Sequence, residues 1–140
     1  MNADFLDAHH RHWQDAEHLR EAARWANADH LYGMAAECGL KRLMLAFGMT
    51  VNAQGSPAAK PDWVHADKAW DRFESYRSGH AHGAHYGLPS ANPFTDWRAE
   101  QRYAPQHLFT EARVQAHRQG VEHVRRLIQR AKTELPGWPA

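Results

Sequence analysis

The stretch ADHLYGMAAECGLKRLMLAF, residues 28–47, decides the architecture of this chain. Its apolar residues (Leu31, Tyr32, Ala35, Ala36, Cys38, Leu40, Leu43, Leu45, Ala46, Phe47) recur at helical spacing and cover most of the circumference. A helix without a wide polar face must be surrounded, so it is the expected centre of a bundle. Asn27 is the expected N-cap. Gly33 and Gly39 each cost roughly 1 kcal/mol of helix propensity, which makes sense where another helix must approach closely.

Working outward, three more segments have helical periodicity. The first runs from about Asp4 to Arg24, with Leu6, Trp13, Ala16, Leu19 and Ala23 on one face and Asn2 or Asp4 as cap. Another follows a loop marked by Gly55, Ser56, Pro57 and Pro61. There Asp62 is the expected cap of a helix that carries Ala66, Ala69, Trp70, Phe73 and Tyr76 and ends near Ser78-Gly79. The last runs from about Thr110 to Leu135, with Ala116, Gly120, Val124, Leu127, Ala131 and Leu135 in one stripe. Pro136, Gly137 and Pro139 end it. Between the third and last helices, residues 79–107 are rich in Gly, Pro and His. Connections of this length tend to be functional or to hide short elements. The alternation of Trp97, Ala99, Gln101 and Tyr103 with polar residues predicts a short extended piece. The expected fold is all-α: a bundle of four main helices with one long Gly/His-rich connection before the last.

At 140 residues the chain has the length of one domain, spanning residues 1–140. Six Trp, five Phe and four Tyr supply a core without disulfides, and one Cys excludes a disulfide framework or a multi-cysteine zinc ribbon. No apolar run reaches the eighteen or so residues of a membrane span, and no signal sequence opens the chain. The expectation is a cytoplasmic protein with no membrane association. Net charge is +1, yet it is unevenly placed: residues 1–30 hold six acids and three bases, residues 110–135 six bases and three acids. The basic last helix either faces an anion such as RNA, through Arg125, Arg126 and Arg130, or is a solvated face.

Glycine-rich phosphate loops, zinc-protease motifs and nucleophile elbows are absent from the sequence. Three polar constellations remain. Arg102 precedes His107 by four intervening residues, and if that stretch turns helically both side chains share a face. An imidazole can move protons to and from a 2′-hydroxyl and a leaving oxygen while a guanidinium holds the phosphate, so the pair suits metal-independent RNA cleavage. The alternative is that Arg102 and Tyr103 lock the loop onto the bundle. His80, His82 and His85 form a His-x-His-x-x-His cluster that can ligate zinc or copper, or can be a polar loop. With no fourth ligand evident, neither a dedicated metal site nor a cofactor is expected. Glu37 stands at i,i+4 from Lys41, which explains it as a local ion pair, unless it reaches inward to hold Arg102 or another loop residue. Cys38 is expected to be a core side chain.

The run Asp29-His30-Leu31-Tyr32-Gly33-Met34-Ala35-Ala36-Glu37-Cys38-Gly39-Leu40-Lys41 resembles the Ala-Ala-Glu-x-x-Leu-Lys helix of bacterial HEPN-type proteins, a superfamily of small helical bundles. The preceding helix with Asp15-Ala16 and Leu19, and the later Trp97 to Arg102-Tyr103 element before a final long helix, fit in order. The resemblance implies a bundle that commonly forms a homodimer. It also implies a role among toxin–antitoxin and defence ribonucleases, with an operon-encoded protein partner, or among non-catalytic binders of RNA, a nucleotide or a protein. Catalytic members carry an Arg followed after four to six residues by a His near the start of a late helix, a gap that Arg102 and His107 match. Tyr103, where the family usually has a small polar residue, and Pro105 depart from the pattern.

Overall fold

A computed structural model describes residues 1–138; Pro139, one of the expected helix-ending residues, lies outside the described residues. Four helices form the body: α1 (Phe5–Glu21), α2 (Trp25–Ala46), α3 (Ala66–Ser78) and α4 (Glu111–Glu134). No strand occurs among the described residues, only an isolated bridge between Val51 and Pro57. The all-α bundle with a long connection before its last helix is therefore what the chain adopts.

Two helix starts follow from local chemistry. The Asp4 carboxylate accepts the Asp7 amide at 3.0 Å, and the Thr110 hydroxyl accepts the Arg113 amide at 3.2 Å, each satisfying a donor that a helix start leaves orphaned. Three residues join α1 to α2, so the two run antiparallel, and Ala23 makes the turn in the left-handed region (φ 56°). The tightness of that turn corrects the position of α2. It begins at Trp25 with Arg24 as an unassisted cap, which places Asn27 inside the first turn rather than before it.

α2 packs against α1, α3 and α4 and is buried along its length, with Ala28, Tyr32, Ala35, Ala36, Leu40, Leu43 and Met44 fully inside. Its two glycines explain themselves within the protomer. A Cβ on Gly33 would lie 2.0 Å from the Trp97 indole, and one on Gly39 would lie 2.7 Å from both His9 of α1 and Val124 of α4. Cys38 is buried, and burial pushes its thiol up to about 12, as befits a core side chain.

Asp62 does not cap α3. It ends a 3-10 turn (Lys60–Asp62) and is buried, with its carboxylate accepting from Arg72 Nε at 2.8 Å and Tyr76 Oη at 2.6 Å, while His65 stands at the cap position. The long connection is anchored by aromatic residues. Tyr86 packs edge-on to Phe47, the Trp70 indole N–H donates to the Pro89 carbonyl, and Phe94 stacks on His117 with ring centres 5.2 Å apart. The predicted extended piece at 97–103 is instead a 3-10 turn (Ala99–Tyr103). Gln101 is the reason: its side-chain oxygen accepts the Arg98 amide at 3.1 Å while its amide nitrogen donates to Asp29 at 2.7 Å, which curls the backbone back on itself.

Candidate functional site

Two polar assemblies meet where the connection crosses α2. The first is buried and structural. His117 of α4 has a carboxylate oxygen at each ring nitrogen, with Asp29 Oδ1 2.6 Å from Nδ1 and Asp96 Oδ1 2.7 Å from Nε2. Burial alone would lower the His117 pKa, but hydrogen bonds and charge from Asp29 and then Asp96 outweigh it, and the pKa is raised. Both nitrogens are satisfied as donors only in the imidazolium form. Gln101 completes the Asp29 carboxylate, the Arg113 Nε lies 3.5 Å from it, and the Trp97 indole N–H donates to the Asp29 carbonyl at 3.1 Å. One aspartate thus ties α2, α4 and the connection together. No sequence motif marks it, because Asp29 reads as a surface residue beside its Asn27-Ala28 neighbours.

The second assembly lies on one face of α2 and is partly open. Glu37 bonds Lys41 at 3.0 Å and also reaches His65 Nδ1, just before α3, at 3.0 Å, so the local ion pair and a hold on a loop residue both account for Glu37. Arg102 is not its partner. The Arg102 guanidinium is exposed, donates to the Ala99 carbonyl at 3.0 Å and lies 4.7 Å from the Tyr103 ring centre. No carboxylate pairs with it among the described residues. The alternative in which a buried Arg102 locks the loop onto Glu37 is thereby overturned; Trp97 and Gln101 do the locking.

His30, which feels the Arg102 charge, is half-buried and stacked on Trp97 with ring centres 5.6 Å apart at 15°. Desolvation, then the Arg102 charge, lowers its pKa. Its Nδ1 is buried with no hydrogen-bond partner, which further penalises a ring that must carry two N–H groups. His12 of α1 also senses His30 and Glu37, and its pKa is lowered chiefly by desolvation. His12, His30 and Glu37 are therefore close enough to act on one another by charge, and Arg102 acts on His30. His30 and His12 were missed in the sequence, where twelve His dilute any single one. The available signal was the seven-residue step from His30 to Glu37, two turns along one helix face.

His107 lies on a separate 3-10 turn (Gln106–Leu108) and is exposed. Ala104 and Pro105 between the two turns are both extended (ψ 155° and 142°), so Arg102 and His107 do not ride one continuous helix as their spacing predicts. Pro105 is the physical cause, since it disfavours the helical conformation of the residue before it. A cleft of about 330 Å³ lined by Asp96, Arg98, Gln101, Leu108, Phe109 and Arg113 adjoins these turns, and Tyr103 is 78% exposed.

The basic residues of α4 divide. Arg118 pairs with Glu17 of α1 through two bonds of 2.7 and 3.1 Å, and Arg113 pairs with Asp96 at 3.1 Å. Arg130 turns to the His85 carbonyl and lies 3.9 Å from Glu134. Arg125 and Arg126 remain together at a cleft with α1. Arg125 is twelve residues beyond Arg113, or about 18 Å along the helix, and so stands apart from the Arg113–Asp96 pair.

His80 packs against Phe47 and His82, and no group of three or more His, Cys, Asp or Glu among the described residues is placed to share a metal ion. No helix of the described residues is long and apolar enough to cross a membrane. No protein-family model matches the chain, and no curated protein or solved structure matches it.

Proposed function

We propose that this chain is an HEPN-like protein that acts on RNA as a metal-independent endoribonuclease, with Arg102 as the phosphate-holding group. The observation that carries this reading is an exposed guanidinium, with no acidic partner among the described residues, whose charge acts on a half-buried imidazole and helps to lower its pKa. The neutral His30 ring takes the proton of a 2′-hydroxyl as that oxygen attacks the adjacent phosphorus. Arg102 carries the charge that grows on the non-bridging oxygens, and the 5′-oxygen leaves with a proton from an acid. The products are a 2′,3′-cyclic phosphate and a free 5′-hydroxyl, so no water or metal enters the cleavage step. His107, exposed on the next turn, is the second imidazole, from the same protomer or across a homodimer. Exposed Tyr103 offers a ring on which an unpaired base can stack. The family resemblance supports the wider setting: a cytoplasmic homodimer in a toxin or defence system, with an operon-encoded partner.

The test is cleavage of a mixed-sequence single-stranded RNA in EDTA by the wild type and by Arg102→Ala, His30→Ala and His107→Ala, with melting curves on each. Loss of cleavage in Arg102→Ala with melting unchanged supports the assignment. The two histidine variants decide which imidazole is base. Intact RNA with the wild type at every pH from 5 to 9 overturns it and leaves the binding-module reading, in which the same patch holds RNA without cutting it.

A further inference from the structure

Elsewhere on the bundle, α1 and α4 enclose a cleft of about 240 Å³ lined by His9, His10, Arg125, Arg126, Gln129 and Lys132 together with Ile128, and among the described residues no carboxylate lines it. We propose that this cleft is a binding site for a phosphoryl or pyrophosphoryl group, independent of the cleavage reading.

Arg125 carries the argument. It is half-buried, its guanidinium lies 4.7 Å from the Trp13 ring centre, and burial lowers its pKa. A desolvated cation is costly unless an anion compensates it. The carboxylate nearest in charge is Glu17, and Glu17 is already taken by Arg118, Tyr32 and Arg20. What Arg125 touches instead is two imidazoles, His9 Nε2 at 3.2 Å and His10 Nδ1 at 3.5 Å. His9 is held neutral: burial pulls its pKa down to about 4, and its Nδ1 donates to the Ala35 carbonyl at 2.7 Å. Neutral His9 turns an acceptor toward the guanidinium and orients it without offsetting its charge. Arg126 engages only His123 at 2.8 Å, and Lys132 makes no ion pair among the described residues. Asp7, whose charge reaches His10 one turn back on α1, does not line the cleft. Three cations therefore line a concave site that no carboxylate lines among the described residues. The volume falls below the roughly 300–1,000 Å³ of pockets that enclose whole drug-sized ligands, and so suits a phosphate or pyrophosphate group alone.

Calorimetric titration of the full chain with pyrophosphate in low salt tests this, followed by a 5′-phosphorylated trinucleotide and its 5′-hydroxyl counterpart. Lys132→Glu and Arg126→Ala alter exposed side chains and keep the fold, whereas Arg125→Ala also loses its contact with Trp13. Saturable pyrophosphate binding weakened about tenfold or more by each exposed variant is expected, the loss of one charge-assisted contact. Arg102→Ala should bind pyrophosphate as the wild type does, which separates this site from the cleavage patch. Binding of the 5′-phosphorylated trinucleotide alone assigns the cleft to a terminal phosphate; equal binding of both assigns it to the backbone. No saturable pyrophosphate binding at millimolar concentration, or binding indifferent to Lys132→Glu, overturns the proposal.

Discussion

Removing the Asp29 carboxylate should unfold the connection from the bundle more effectively than removing any exposed charge. Asp29 is fully buried and receives His117 Nδ1 at 2.6 Å and Gln101 Nε2 at 2.7 Å, with Arg113 Nε at 3.5 Å. In Asp29→Ala the Gln101 amide loses its acceptor in the interior, which costs about 1–3 kcal/mol. The His117 imidazolium keeps only Asp96, whose side chain is 57% exposed and a weaker partner. Breaking a buried charge pair by deleting one member costs about 3–5 kcal/mol, and that is the expected total because the two losses share one carboxylate. Against a typical domain stability of about 5–15 kcal/mol the variant should remain folded but marginal.

Urea denaturation between pH 4.5 and 9 reads both the size and the mechanism of that loss. The His117 pKa is raised in the folded protein above the ordinary 6.5, so its contribution is complete below about 6.5 and disappears as pH rises through the raised value. Asp96 works in the other direction. Burial would raise its pKa, but the His117 hydrogen bond and charge outweigh that and lower it. Its contribution is therefore present above the ordinary 3.8 and is lost as pH falls through the lowered value. Wild-type stability from this assembly is thus greatest at mildly acidic pH and declines on the alkaline side. Asp29→Ala should flatten that alkaline decline as well as lower the whole curve. A destabilisation under 1 kcal/mol, or an alkaline limb unchanged from wild type, would refute the reasoning.

Leu40→Ala, at a fully buried position on α2, should cost about 2–5 kcal/mol by chemical denaturation. Gly33→Ala should destabilise despite a gain of nearly 1 kcal/mol in helix propensity, because the added methyl meets the rigid Trp97 indole, and a rise in melting temperature would contradict that packing. Ala23→Gly relieves a left-handed backbone conformation worth roughly 1–2 kcal/mol and should raise the melting temperature by a few degrees. Light scattering at micromolar concentration should report a dimer.

What the sequence made legible is the part built on periodicity. The four helices and the central position of residues 28–47 follow from where Leu, Ala and aromatic residues recur, since that pattern and the burial it causes are the same fact. The long connection was illegible for an equally definite reason. Its order comes from side chains whose partners are remote in the chain: Trp97 and Gln101 on Asp29, Asn92 on the Asp67 carbonyl, Phe94 on His117. Alternation at 97–103 imitated a strand because Trp97 and Gln101 both point inward, yet a turn does this equally well when a glutamine bonds its own backbone.

The candidate site divides along the same line. Arg102 is marked in the sequence only by its four-residue gap to His107, and its exposed guanidinium, unpaired with any carboxylate among the described residues, is a property of the fold that this gap does not predict. The imidazole that feels its charge carries no local signal, because His30 is remote from Arg102 in the chain and Pro105 breaks the four-residue gap to His107. Proximity here is instead delivered by Trp97, which fits against the bare backbone of Gly33, donates to the Asp29 carbonyl and stacks on His30. One indole thus links the glycine that helix propensity disfavours, the buried Asp29 and the histidine proposed as the base. It follows that Trp97→Phe, which keeps a ring but loses the N–H donor, is the variant that best divides these roles. His30 should keep its stacking partner and Arg102 its carbonyl contact, while the connection loses one tie to α2 worth about 0.5–1.5 kcal/mol. RNA cleavage that falls far more than this loosening of the fold accounts for would mean that the placement of Arg102 beside His30 depends on that single hydrogen bond.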